Sequence, residues 1–202
     1  MSHRILSLNR RQALGVFAAS AALPALVTAS PGPIGRSPSD PDLLNPTVSW
    51  SGILTDTELT IIASMSDLII PADENSPAAS SLGCHHYVNE YVSAPYPACE
   101  AALRTLRDGL AWLATECASR FGRPFTELRE AEKLTICDDI RWVESASAQD
   151  KPGAEFFNLV RFLVATAFYT TDEGMADIGY VGNRAAGSFE GPSPEILAKL
   201  GL

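Results

Sequence analysis

Between Cys99 and Cys117, the residues Cys99, Leu103, Leu106, Leu110, Leu113 and Cys117 fall at steps of four, three, four, three and four. That rhythm places all six on one face of a helix about five turns long, and other elements must cover the resulting apolar seam. A chain organised around such a seam is constrained to pack helix on helix.

The flanking sequence supplies the partners. Thr55-Asp56-Thr57-Glu58 is a capping box: the Thr55 hydroxyl can accept from the third backbone N–H while Glu58 reaches back. Leu59, Ile62, Met65 and Ile69 follow at helical spacing, with Ile61 and Leu68 widening the stripe, until Pro71 stops it. After the polar, turn-rich PADENSPAASSLG loop, a second helix is expected from about Leu82 to Tyr91, and Pro95-Tyr96-Pro97 makes a turn. Beyond Gly122 and Pro124, a fourth helix is expected from Arg129 to Ser145, with Leu134, Cys137 and Ile140 facing inward. Lys151-Pro152-Gly153 reads as a break. A fifth helix, Ala154 to Tyr169, buries Phe156, Leu159, Val160, Leu163 and Ala167. From Thr170 the tail is irregular and rich in Gly and Pro, until a last short turn at Pro194–Leu200. The expectation is an all-α fold, a compact bundle of about five helices without a strand pair or an internal repeat.

The bundle is expected to occupy residues 53–202. Ahead of it, residues 30–52 hold five prolines among Ser, Gly and Asp, the composition of an extended leader or linker. Residues 1–29 read as an export signal. Arg10 and Arg11 precede an uncharged, alanine-rich run that closes on Val27-Thr28-Ala29, the small residues a signal peptidase reads. An arginine pair before a mildly apolar run is the twin-arginine variant, which exports proteins already folded and often carrying a cofactor.

Removing residues 1–29 takes away three basic residues and no acid. The remaining 173 residues set 12 basic against 24 acidic groups, so the formal charge moves from −9 to about −12. Such a chain does not coat nucleic acid or an anionic membrane unaided. Outside the signal, no apolar run reaches the roughly 18 residues of a membrane span. The expected location is periplasmic.

A search for the cofactor that folded export suggests finds none in this chain. There is no GxGxxG, no phosphate-cradling loop and no CxxCH. His85 and His86 are adjacent and would point about 100° apart on a helix, so they do not converge on one ion. Asp138-Asp139 and Asp73-Glu74 read as solvated acids rather than a catalytic pair across a cleft. No catalytic, cofactor-binding or metal residues are assigned.

Cys84, Cys99, Cys117 and Cys137 are an even set, as disulfides in an oxidising compartment would be. A 99–117 bridge is excluded, because 18 residues of helix hold that pair about 27 Å apart. Two pairings remain. Joining sequence neighbours, 84–99 with 117–137, is preferred; buried free thiols packing as small hydrophobes are the alternative.

The segment from Leu54 to Glu58, continuing through Ser66-Asp67-Leu68-Ile69-Ile70-Pro71-Ala72-Asp73-Glu74-Asn75-Ser76-Pro77-Ala78 to Gly83, resembles the gluconate 2-dehydrogenase subunit 3 family. Ala167-Phe168-Tyr169-Thr170 and Ile178-Gly179-Tyr180-Val181-Gly182-Asn183 look like its C-terminal region. The likeness runs over about residues 53–190. It implies a non-catalytic accessory subunit that helps a flavin dehydrogenase of the glucose–methanol–choline type to mature and leave the cell interior. FAD would belong to that large subunit, which would oxidise a sugar, sugar acid or glycoside. Electrons would pass to a c-type cytochrome or another membrane acceptor, through which the complex could be membrane-associated. Some family members have a Trp-containing C-terminal segment that this chain lacks, and the substrate stays open. The resemblance points to Pro71, Asp73, Tyr169, Tyr180, Gly182 and Asn183 as the partner interface. The other reading of the chain is a stand-alone periplasmic helical binding protein.

Overall fold

The computed structural model describes residues 47–180, 182, 187–188 and 191–202. The chain divides into two units, Met1–Ser49 and Trp50–Leu202. Only Thr47–Ser49 of the first is described. Arg10, Arg11 and Asn183 lie outside the described residues.

The second unit is all helical among its described residues. Its elements are α1 (Asp56–Ile69), α2 (Cys84–Ser93), α3 (Pro97–Phe121), α4 (Glu130–Ile140), α5 (Lys151–Phe168), α6 (Asp172–Asp177) and α7 (Pro194–Leu200). Short 3₁₀ turns occupy Ala79–Leu82 and Phe125–Glu127. The five expected helices correspond to α1–α5.

The seam on α3 is the spine of the core. Cys99, Leu106, Leu110, Leu113 and Cys117 are buried and Leu103 is partly so. The main partner of α3 is α5, which also packs on α2, α1 and α4. From α5, Phe156, Val160, Leu163, Val164 and Phe168 are all essentially inaccessible. Two glycines let the helices approach closely. A Cβ at Gly109 of α3 would overlap Phe156, and one at Gly153 of α5 would overlap the Trp112 indole. On α1, Ile62 and Met65 are buried, and the flanking stripe packs against the core edge.

Several boundaries differ from expectation, each for a local reason. Pro97 and Lys151-Pro152-Gly153 open helices α3 and α5 rather than breaking the chain. The first turn has no use for the N–H that proline lacks, and proline's fixed φ already suits a helix. Residues after Thr170 form α6, because the Thr171 hydroxyl accepts from the Gly174 N–H at 3.0 Å. Helix α4 ends at Ile140, short of Ser145. Here Arg161 of α5 donates from Nη1 to the Arg141 carbonyl at 3.2 Å, while the Ser145 and Ala146 N–H groups turn back onto the Trp142 carbonyl. Leu134 faces outward at 42% exposure, and Ile136 holds the inward position beside Cys137 and Ile140.

The compact unit also begins earlier than residue 53. The Trp50 indole Nε1 donates to the Glu90 carbonyl at 3.0 Å, and its ring meets Tyr96 edge-on at 6.0 Å. The Ile53 N–H donates to Ser93 Oγ and the Leu54 N–H to Asn89 Oδ1. The last residues of the proline-rich segment therefore run along α2.

Candidate functional site

The loop after α1 is held by hydrogen bonds from its own side chains and backbone. The Asp73 carboxylate accepts from the backbone N–H groups of Asn75 and Ser76, both at 2.8 Å. The Asp73 N–H in turn donates to the Ser76 carbonyl at 3.0 Å, closing a tight turn. The backbone donors from Asn75 and then Ser76 hold the Asp73 carboxyl below its ordinary range. A second staple lies beneath. Asp67 of α1 accepts from the Ser80 N–H at 2.8 Å and the Ser80 hydroxyl at 2.7 Å, and the Ala79 N–H closes onto the Ile70 carbonyl. Pro71, Ala72 and Asp73 are thus presented to solvent on a backbone fixed at both ends.

The loop borders a cleft of about 320 Å³ lined by Ser64, Asp67, Leu68, Pro71, Ala78 and Lys133, among others. Lys133 of α4 crosses it, donating to Ser64 Oγ at 2.8 Å with its ammonium 5.3 Å from the Phe125 ring centroid. The acid at the rim, Glu130, and the Lys133 ammonium make this a polar surface, suited to hydrogen-bonded recognition of another chain.

The tail residues are held by local contacts of their own. Tyr169 closes α5, half-exposed, with its ring edge-on to Phe168 at 5.2 Å. Tyr180 is exposed and anchored through its N–H to the Met175 carbonyl at 2.9 Å. Gly182 has φ +82°, a conformation that suits glycine. Among the described residues, no hydrogen bond, ion pair or ring contact joins Pro71 or Asp73 to Tyr169, Tyr180 or Gly182. The loop is held by its own staples, and Tyr169 by the end of α5.

The cysteines are a correction to the preferred pairing. All four are free thiols, and all are buried. Each occupies a core position that would otherwise take a small hydrophobe. Burial pushes the Cys137 thiol up to about 12 and Cys117 up to about 11. Burial also raises Cys84 and Cys99. Thiols held neutral in this way are poor nucleophiles and poor ligands. No group of three or more His, Cys, Asp or Glu side chains among the described residues could hold a metal ion. The His85 and His86 rings lie with centroids 4.0 Å apart and planes tilted by 39°, and burial, with His86 beside it, lowers the His85 pKa.

A family model described as gluconate 2-dehydrogenase subunit 3 matches residues 56–191, from the first residue of α1 to the tail beyond Gly182. The chain belongs to the gluconate 2-dehydrogenase subunit 3 family. No curated protein and no solved structure matches it significantly. The family match takes in the whole of α1–α6, so the stapled Pro71–Asp73 loop and the aromatic end of α5 are both parts of the subunit 3 domain. A dehydrogenase subunit of this family has other subunits to meet, and a dehydrogenase partner is consistent with that membership. No helix among the described residues is long and apolar enough to cross a membrane.

Sequence reasoning missed one exposed group that the fold assembles. Trp142 follows α4 and stacks under Arg161 of α5, whose Cζ lies 5.1 Å from the indole centroid. Nineteen positions separate the two, and neither has a periodic or motif signature in the sequence. An aromatic with no place in the core pattern was the only available signal.

Proposed function

We propose that this chain is a non-catalytic accessory subunit that binds an FAD-dependent dehydrogenase of the glucose–methanol–choline type. In this reading it helps that partner mature and carries it out of the cytoplasm through the Arg10-Arg11 signal. The partner oxidises a sugar, sugar acid or glycoside and holds the FAD; a c-type cytochrome receives the electrons. The observation that carries the proposal is the family match over nearly the whole helical unit. It is supported by four inert thiols and by a surface of rigid loops whose ordering cost on binding is already met in the free chain.

The test is export. The chain is co-expressed with a flavin dehydrogenase large subunit lacking its own signal, and flavoprotein is measured in periplasmic and cytoplasmic fractions. Arg10→Lys with Arg11→Lys should strand the large subunit in the cytoplasm. Its normal export in that background would defeat the carrier role.

A second reading, a stand-alone binding protein, has one observation in its favour. An apolar cleft of about 420 Å³ lies between α1, α3 and the Phe125 turn, lined by Ile61, Leu110, Leu113, Ala114, Ala118 and Phe125 among others. Native mass spectrometry of the chain purified alone separates the readings, since only a binding protein retains a small apolar ligand without a partner subunit.

A further inference from the structure

The outer face of α5 carries exposed aromatic surface that the fold does not use. Phe162 is 64% exposed on α5 and Trp142 is 53% exposed where α4 ends. Beside them, Trp142, Val143, Glu144, Glu155, Asn158 and Arg161 line a cleft of about 390 Å³. Phe162 stands one turn beyond Asn158 on the same side of the helix, so it continues this cleft's rim. Tyr169 follows seven residues later on the same stripe.

The cleft is held in place before any partner arrives. Arg161 donates to the Arg141 carbonyl at 3.2 Å and to Asn158 Oδ1 at 2.8 Å, and its guanidinium lies over both Trp142 and Phe157. The indole is therefore fixed by a stacked cation although half of it faces water. Rigid exposed Trp and Phe beside Arg is the composition of interface hot spots.

Charge indicates what covers it. Among the described residues, neither the Glu144 nor the Glu155 carboxylate has a hydrogen bond or an ion pair, and the Arg161 hydrogen bonds go to neutral oxygens. The rim thus carries two unpartnered carboxylates in a chain of formal charge −9. A second copy of the same acidic chain approaches against long-range repulsion. A partner presenting an apolar side chain flanked by lysine or arginine meets both the aromatic floor and the acids.

We infer that the Trp142–Phe162 face is the surface on which the dehydrogenase large subunit docks, with a basic-flanked apolar side chain seated in the cleft. The inference rests on the accessory-subunit reading and adds the place and chemistry of the contact. Helix α5 links this face to the core, since its opposite side carries Phe156, Val160 and Phe168.

The experiment is a tagged pull-down of the full chain co-expressed with a flavin dehydrogenase large subunit, read as flavin absorbance per chain. Trp142→Ala and Phe162→Asp, each checked for an unchanged melting temperature, should reduce retained flavin by about tenfold or more. Glu144→Lys with Glu155→Lys should weaken retention most at low salt. Ser119→Asp, an exposed change on α3, should leave it unaltered. Full retention by both aromatic variants, with wild type also retaining flavin, overturns the docking face and leaves the accessory role standing. Absence of flavoprotein with the wild-type chain overturns the role itself and with it the face. Conversion of a wild-type homodimer to monomer by Phe162→Asp, with flavin retention unchanged, overturns the proposed occupant in favour of a second copy.

Discussion

Cys117 and Cys137 illustrate how burial alone sets the chemistry of a residue. Both thiols rise from an ordinary value of 9.0, to about 11 and about 12, mainly because the apolar core penalises the thiolate. At neutral pH the folded chain should alkylate with iodoacetamide far more slowly than after denaturation, read by mass spectrometry at each cysteine. Native labelling of Cys137 at the rate of a free peptide thiol would contradict this packing. The sign of the pH dependence follows. Above pH 9 the unfolded chain loses these protons while the folded chain keeps them, so stability falls as pH rises from about 9 toward 11 to 12. Denaturant midpoints measured across that range should decline, and Cys137→Ala should flatten part of the decline. At the same scale, Asp73 shows what a sequence can disclose: Asp73-Glu74-Asn75-Ser76-Pro77 signals a turn. The second staple, Asp67 to Ser80 across 13 residues, carries no such signal and depends on α1 and the Ala79 turn meeting in space.

At the scale of elements, the α3–α5 pair is decisive. Gly109 sits in the middle of a long helix, where glycine costs roughly 1 kcal/mol against alanine by propensity. Its backbone nevertheless lies against Phe156 with no room for a Cβ. Gly109→Ala should therefore destabilise by about 1–3 kcal/mol despite the better propensity, because the close approach of the two helices must open. Urea unfolding gives the sign directly, and a stabilised variant would show that the helices can separate at no cost. The helical stripes and the capping box at Thr55 and Glu58 were legible because they depend on spacing along one segment. The Glu58 N–H donates to Thr55 Oγ1 at 3.2 Å and Glu58 Oε2 accepts from the Thr55 N–H at 2.8 Å, as the residue order suggests. The end of α4 was not legible. No Gly or Pro lies between Arg141 and Ser145, and the stop comes from Arg161 capturing the Arg141 carbonyl across the α4–α5 contact. The inward side of α4 shifted from Leu134 to Ile136 for a related reason. With weak amphipathicity, a helix of eleven residues takes its orientation from its neighbours.

For the whole molecule, the folded unit starts where a proline-rich segment would be expected to continue as tether. Trp50 and Ile53 add hydrogen bonds to α2 and a ring contact to Tyr96. A chain beginning at Leu54 should melt several degrees lower than one beginning at Thr47, given about 1 kcal/mol for each hydrogen bond lost and the size of the domain. Equal melting of the two by circular dichroism would show that Trp50 contributes nothing. The partner-facing surface also belongs to this scale. Pro71 and Asp73 could be singled out from a local motif, whereas the Trp142–Arg161 stack joins residues from two elements and exists only once α4 and α5 have packed.

What the sequence determined by itself was what spacing within one segment carries: five helices, the apolar faces of all but α4, the capped start of α1 and the turn after Pro71. Family membership was legible on the same basis, from short motifs in fixed order. The tertiary structure alone decided that the thiols stay free, that α4 stops at Ile140, that Trp50 joins the core unit and that Trp142 is held at the surface by Arg161. The physical reason is common to all four. Each depends on which groups from distant parts of the chain come within a few ångströms of one another, and that distance is set by helix packing rather than by the order of residues.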